Sequence, residues 1–87
     1  MIWDFEALKT LVEKALTENN IEIYCDIDYN TTFYDLGVDS DVFIYYLVDN
    51  RAEIESTYGV KLVNEDKLHF EIHKDRDFLH IKNNIVY

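Results

Sequence analysis

The stretch Phe33-Tyr34-Asp35-Leu36-Gly37-Val38-Asp39-Ser40 and the apolar run behind it, Val42-Phe43-Ile44-Tyr45-Tyr46-Leu47-Val48, decide how this chain is read. Phe33 and Leu36 stand three apart, so a single helical turn points both side chains inward. Gly37 supplies a turn. Asp39 is a good N-cap, because its carboxylate can accept a first-turn N–H of a helix that begins at Asp39 or Ser40. Apolar residues fill most of that helix. Leu47, Ile54 and Tyr58 keep its phase up to a stop at Tyr58-Gly59, with Val60 and Leu62 as apolar anchors beyond.

Upstream, Phe5, Leu8, Leu11, Val12, Ala15 and Leu16 recur at three- and four-residue steps from about Asp4 to Glu18, which predicts an amphipathic first helix. Asp4 and Glu6 favour its start. Ile21, Ile23, Cys25 and Ile27 then alternate with polar residues. A lone strand there would have Val60-Lys61-Leu62-Val63 as its one candidate partner, so most of Ile21 to Asp39 reads as a long ordered loop pinned by apolar side chains. Downstream, Asn64 caps a turn through Glu65-Asp66-Lys67-Leu68, and Asp75 is expected to cap a helix using Phe78, Leu79, Ile81 and Ile85. The expected fold class is all-α, a three- or four-helix bundle forming a single domain over residues 1–87.

Composition narrows the function. The formal net charge is −10, which repels nucleic acid and anionic membrane surfaces and attracts basic proteins. The one cysteine, Cys25, is expected to be a partly buried apolar residue; one thiol forms neither an intramolecular disulfide nor a cysteine zinc cluster. No apolar run approaches the roughly 20 residues that span a bilayer. The N-terminus lacks the basic start of a secretory leader, so a cytoplasmic location is expected.

Several sites are set aside. Asp26-Ile27-Asp28-Tyr29-Asn30 starts like a calcium loop, but Thr31 and Gly37 stand where that loop needs Gly and Glu; a polar loop with Asx turns is expected instead. His69 and His73 have zinc-like spacing without a cysteine or HExxH, and His80 is similar; all three read as solvated surface histidines. Two isolated glycines cannot form a phosphate loop. No catalytic residue and no metal site is assigned, and an enzyme is not expected.

Asp39-Ser40-Asp41 is different. A serine at a helix start straight after a glycine turn is exposed and firmly presented. Nothing nearby activates its hydroxyl, so a covalent role needs another enzyme. The whole phrase Asn30 to Ser40 resembles the modification motif of acyl carrier and peptidyl carrier proteins, an apolar residue followed by Asp-Leu-Gly-x-Asp-Ser. Tyr58-Gly59-Val60-Lys61-Leu62 is similar to the close of the carrier's second helix, and the motif region spans residues 30–62.

The resemblance implies an acyl-carrier-like four-helix bundle with a long loop between helices 1 and 2. It implies that Ser40 takes 4′-phosphopantetheine from coenzyme A through a phosphopantetheinyl transferase and Mg²⁺, and that the arm carries acyl groups as thioesters in fatty acid, polyketide or nonribosomal peptide biosynthesis. Asp39 matches the aspartate beside the metal during transfer. Phe33 and Leu36 match core residues below the site. Asp41, Phe43 and Tyr45 are the residues expected to meet acyl-loading or acyl-transferring enzymes, with the carrier itself a monomer.

Three features depart from the family. Asp41 replaces the usual Leu, about one helical turn is added between Ser40 and Tyr58, and the run from Val42 to Val48 is unusually apolar. That run is either deeply buried or meets an apolar partner. The competing expectation is an unmodified, carrier-like acidic interaction protein, of inhibitor or immunity type, that binds a basic or apolar partner through the second helix.

Overall fold

In the computed structural model, which describes residues 1–87, six helices and no strand follow one another: α1 (Phe5–Glu18), α2 (Phe33–Leu36), α3 (Asp41–Asp49), α4 (Arg51–Tyr58), α5 (Glu65–Glu71) and α6 (Phe78–Asn84). The all-α expectation holds. The radius of gyration is 11.7 Å, against about 12 Å for a compact chain of this length. No helix is long and apolar enough to cross a membrane.

The α1 helix forms as its pattern dictates. Asp4 caps it by accepting the Ala7 N–H at 2.9 Å, and Ala7, Leu8, Leu11, Val12, Ala15 and Leu16 are all buried. That stripe packs against α3 and α6; α3 in turn packs on α5 and α4, and α5 on α6. One contiguous core results, with Phe33, Phe43 and Phe78 as its largest fully buried side chains. Phe33 meets Phe78 edge to face with centroids 4.9 Å apart and lies 5.7 Å from Phe43. It thereby ties α2 to α3 and α6.

Residues 19–32 carry no helix. Ile27 is buried, and Ile21 and Ile23 pack against the core. Cys25, expected to be partly covered, is instead exposed. The inward alternation skips Cys25, which is exposed between Tyr24 and Asp26, and resumes at the buried Ile27. Asp28 accepts the Asn30 N–H and the Thr31 hydroxyl. The Thr31 hydroxyl, followed by the Asn30 N–H, holds the Asp28 carboxyl below its ordinary range. This is an Asx turn, as expected for the stretch that begins like a calcium loop.

The second helix, expected to run unbroken to Tyr58, is interrupted at Asn50. The Asn50 side-chain amide donates at 2.8 Å to the Tyr46 carbonyl, which also accepts the Asn50 backbone N–H at 3.1 Å, so Asn50 folds back onto the end of α3, as Asn favours. The next residue, Arg51, forks onto the carbonyls of Leu62 and Val63 at 2.8 and 2.7 Å. The stop at Gly59 forms with φ +65°, a left-handed cap that glycine adopts at little cost.

The tail is partly corrected. Asn64 caps α5 through the Lys67 N–H, as expected. The cap of α6 is Asp77, which accepts the His80 N–H at 2.8 Å, and not Asp75. Backbone pairing sets this register: the Phe78 N–H donates to the Thr31 carbonyl at 2.9 Å, the Leu79 N–H donates to that of Tyr29, and Thr32 bridges Asp77. A second bridge joins Leu62 to Val86.

Candidate functional site

The local sequence builds the turn that presents Ser40. Thr32 and Asp35 form a reciprocal capping box around α2: the Asp35 N–H donates to the Thr32 hydroxyl at 3.0 Å, and the Thr32 N–H donates to the Asp35 carboxylate at 3.1 Å. Gly37 ends α2 in the left-handed region at φ +68°. Its N–H donates to Tyr34, and the Val38 N–H donates to the Phe33 carbonyl. The chain then turns into α3 over the buried Phe33 ring.

Ser40 is half-buried at the first turn of α3 and its side chain makes no capping bond. The Asp39 carboxylate does that work, accepting the Asp41 N–H at 2.9 Å. The Ser40 carbonyl accepts from Phe43 and Ile44. The backbone of residue 40 is therefore fixed, and its hydroxyl is left over.

The expected partner residues divide. Tyr45 is 53% exposed. Asp41 is half-exposed and faces His69 of α5 at 3.8 Å, a water-exposed pair worth little energetically. Phe43 is 0% exposed, which corrects its assignment as a partner contact: its ring stacks on the core beside Phe33. Ile44 and Leu47 are equally buried, and Val42, Tyr46 and Val48 pack against the same core. Burial against α1, α4 and α5 accounts for the unusual apolarity of this run.

Two clefts flank the turn into α3, and Ser40 lines the second of them. One, of about 410 Å³, is acidic: Asp39, Asp41 and Asp49 share it with Glu18 and Tyr45. The other, of about 480 Å³, has residues of the Phe33–Ser40 segment as one wall and His73 and Lys74, from the connection between α5 and α6, as the other. Sequence reading left those two as ordinary surface residues. Nothing local in the sequence points them at Ser40, because they reach it through long-range pairing, the Tyr34 N–H donating to the Lys74 carbonyl at 3.3 Å near the Thr32–Asp77 bridge.

A second unforeseen feature lies behind this wall. Glu71 is buried and accepts from His80 Nε2 at 2.8 Å, with Lys67 Nζ at 3.5 Å. The His80 hydrogen bond chiefly, with help from Lys67, holds the Glu71 carboxyl below its ordinary value against the opposing effect of burial. An ionised Glu71 only accepts, so His80 Nε2 carries the proton. His80 is thus tied into the fold, in contrast to the solvated histidine expected from sequence.

Comparison with family models, curated proteins and solved structures finds no match to this chain.

Proposed function

We propose that this chain is a carrier-type domain that receives a 4′-phosphopantetheine arm on the Ser40 hydroxyl. The observation that carries the reading is the division of labour between Asp39 and Ser40. An ordinary serine at a helix start is there to cap it, and here the cap is supplied by the neighbouring carboxylate. A hydroxyl held at a fixed backbone position, beside a cleft and with no capping role, fits a group meant for modification.

The architecture supports the same reading. A helix-free stretch separates α1 from the single turn of α2, and the Ser40 helix follows. We read α1, α3 with α4, α5 and α6 as the principal helices of a carrier-like bundle, with residues 19–40 as its long first connection.

No side chain is hydrogen-bonded to the Ser40 hydroxyl, and the reading assigns the chemistry to an external transferase with Mg²⁺. In that step the Ser40 oxygen forms a bond to phosphorus and the pyrophosphate bond of coenzyme A breaks. Adenosine 3′,5′-bisphosphate leaves, and the serine proton passes to a base of the transferase. When bound, the arm supplies a terminal thiol that holds acyl groups as thioesters. Asp39 is exposed next to Ser40 and is suited to recognition by the metal-bearing transferase.

The test is the intact mass after incubation with coenzyme A, Mg²⁺ and a broad-specificity phosphopantetheinyl transferase. A gain of one arm, absent in Ser40→Ala, is expected. No gain, or a gain that survives the substitution, contradicts the reading.

The second reading, an unmodified acidic interaction protein, is favoured by one observation: Tyr45 stands exposed among Asp39, Asp41 and Asp49. It requires a stoichiometric basic partner whose binding weakens with salt and ignores Ser40→Ala.

A further inference from the structure

We propose that His73 and Lys74 hold the phosphate of an arm borne by Ser40, so that the cleft they share with the Phe33–Ser40 segment seats the first part of that arm. The inference rests on the assignment of Ser40 as the attachment point.

The charge distribution around Ser40 selects the side. Within a chain of net charge −10, the cleft alongside α3 gathers Asp39, Asp41, Asp49 and Glu18. A phosphodiester laid there meets like charge. Across the other cleft the facing wall is His73 and Lys74. This is the cleft that Ser40 itself lines, and although Asp39 borders both clefts, only this one offers a lysine.

The Lys74 cation is not committed elsewhere: it enters none of the ion pairs of the molecule. His73 Nδ1 accepts the Asp75 N–H at 3.3 Å and lies 3.5 Å from the Asp75 carboxylate, which leaves Nε2 of this exposed ring as its free donor. Their backbone, by contrast, is fixed. The Lys74 carbonyl accepts the Tyr34 N–H in the first turn of α2, and the His73 carbonyl accepts the Arg76 N–H at 2.9 Å. A free lysine and an imidazole N–H on an anchored loop, opposite a free hydroxyl, suit phosphate capture; Lys serves as a point charge. Tyr34 and Val38 give the cleft an apolar side for the carbon skeleton that follows the phosphate. At about 480 Å³ the cleft lies within the range of small-molecule sites.

The experiment compares backbone amide spectra of the apo protein and of protein loaded with coenzyme A, Mg²⁺ and the transferase, with intact mass recorded on the same samples. The expected result is a mass gain with amide shifts at His73 and Lys74 as well as around Ser40. Lys74→Glu reduces the His73 shift by about half or more, as does raised salt, and Lys74→Arg preserves it. The dispersed remainder of each spectrum reports the fold of each variant. A mass gain with shifts confined to the chain neighbours of Ser40 overturns the cradle and leaves the carrier assignment standing. No mass gain removes the assignment of Ser40, and the cradle with it.

Discussion

The Asp39 carboxylate and the Asp41 backbone N–H meet at 2.9 Å, closing the first turn of α3 around a serine that takes no part in the bond. Stability and loading therefore separate at adjacent positions. Asp39→Ala is expected to cost about 1 kcal/mol, the usual worth of an N-cap, and Asp39→Asn to restore most of it. Ser40→Ala is expected to stay within about 0.5 kcal/mol of the parent. Urea midpoints decide; a larger loss for Ser40→Ala than for Asp39→Ala would return Ser40 to a capping role.

Phe33, Phe43 and Phe78 form the aromatic centre beneath this turn. Replacement of any one by Ala is expected to cost about 3–5 kcal/mol through lost burial and the cavity left behind. Tyr45→Ala, on the same helix as Phe43 but exposed, is expected to cost less than about 0.5 kcal/mol. Thermal unfolding of the pair Phe43→Ala and Tyr45→Ala checks which of the two faces the core.

Arg51 offers a second structural test. Its guanidinium donates to two carbonyls, those of Leu62 and Val63, and lies 3.5 Å from Glu55. A lysine cannot reproduce the fork. Arg51→Lys is expected to lose about 1–2 kcal/mol, read from urea unfolding, and equal stability of the two proteins would show that the fork is dispensable.

The pH dependence follows from Glu71. Its carboxyl is held below the ordinary value of 4.5, first by the His80 hydrogen bond. A carboxyl with a lowered folded-state pKa stabilises the fold above its unfolded value, and that contribution disappears as pH falls through the folded value. Stability is thus expected to decline below about pH 4.5, and Glu71→Gln to flatten that limb. Unfolding midpoints across the acid range measure it; an unchanged acid slope in Glu71→Gln contradicts the role given to this pair.

What the sequence reveals here follows the range of the interaction. The α1 stripe, the Asn64 cap, the Gly37 and Gly59 turns and the inward Phe33 are all local, and each reads directly from spacing and residue type. The choice of Asp77 over Asp75 and the burial of Glu71 depend on partners further off in sequence. Thr31 and His80 set these features, and periodicity carries no trace of them. The candidate site divides in the same way. Ser40 and Asp39 belong to a contiguous phrase, whereas His73 and Lys74 arrive through long-range backbone pairing near Tyr34. Phe43 misled because an unbroken apolar run has no outward face that sequence alone can distinguish.

The most direct test of the central claim is fragment-ion localisation of the mass added by a broad-specificity transferase in the presence of coenzyme A and Mg²⁺. The account predicts a single phosphopantetheine on Ser40, with none on Ser56, the threonines or the exposed Cys25. A fully folded protein that gains no mass, or gains it elsewhere, contradicts it.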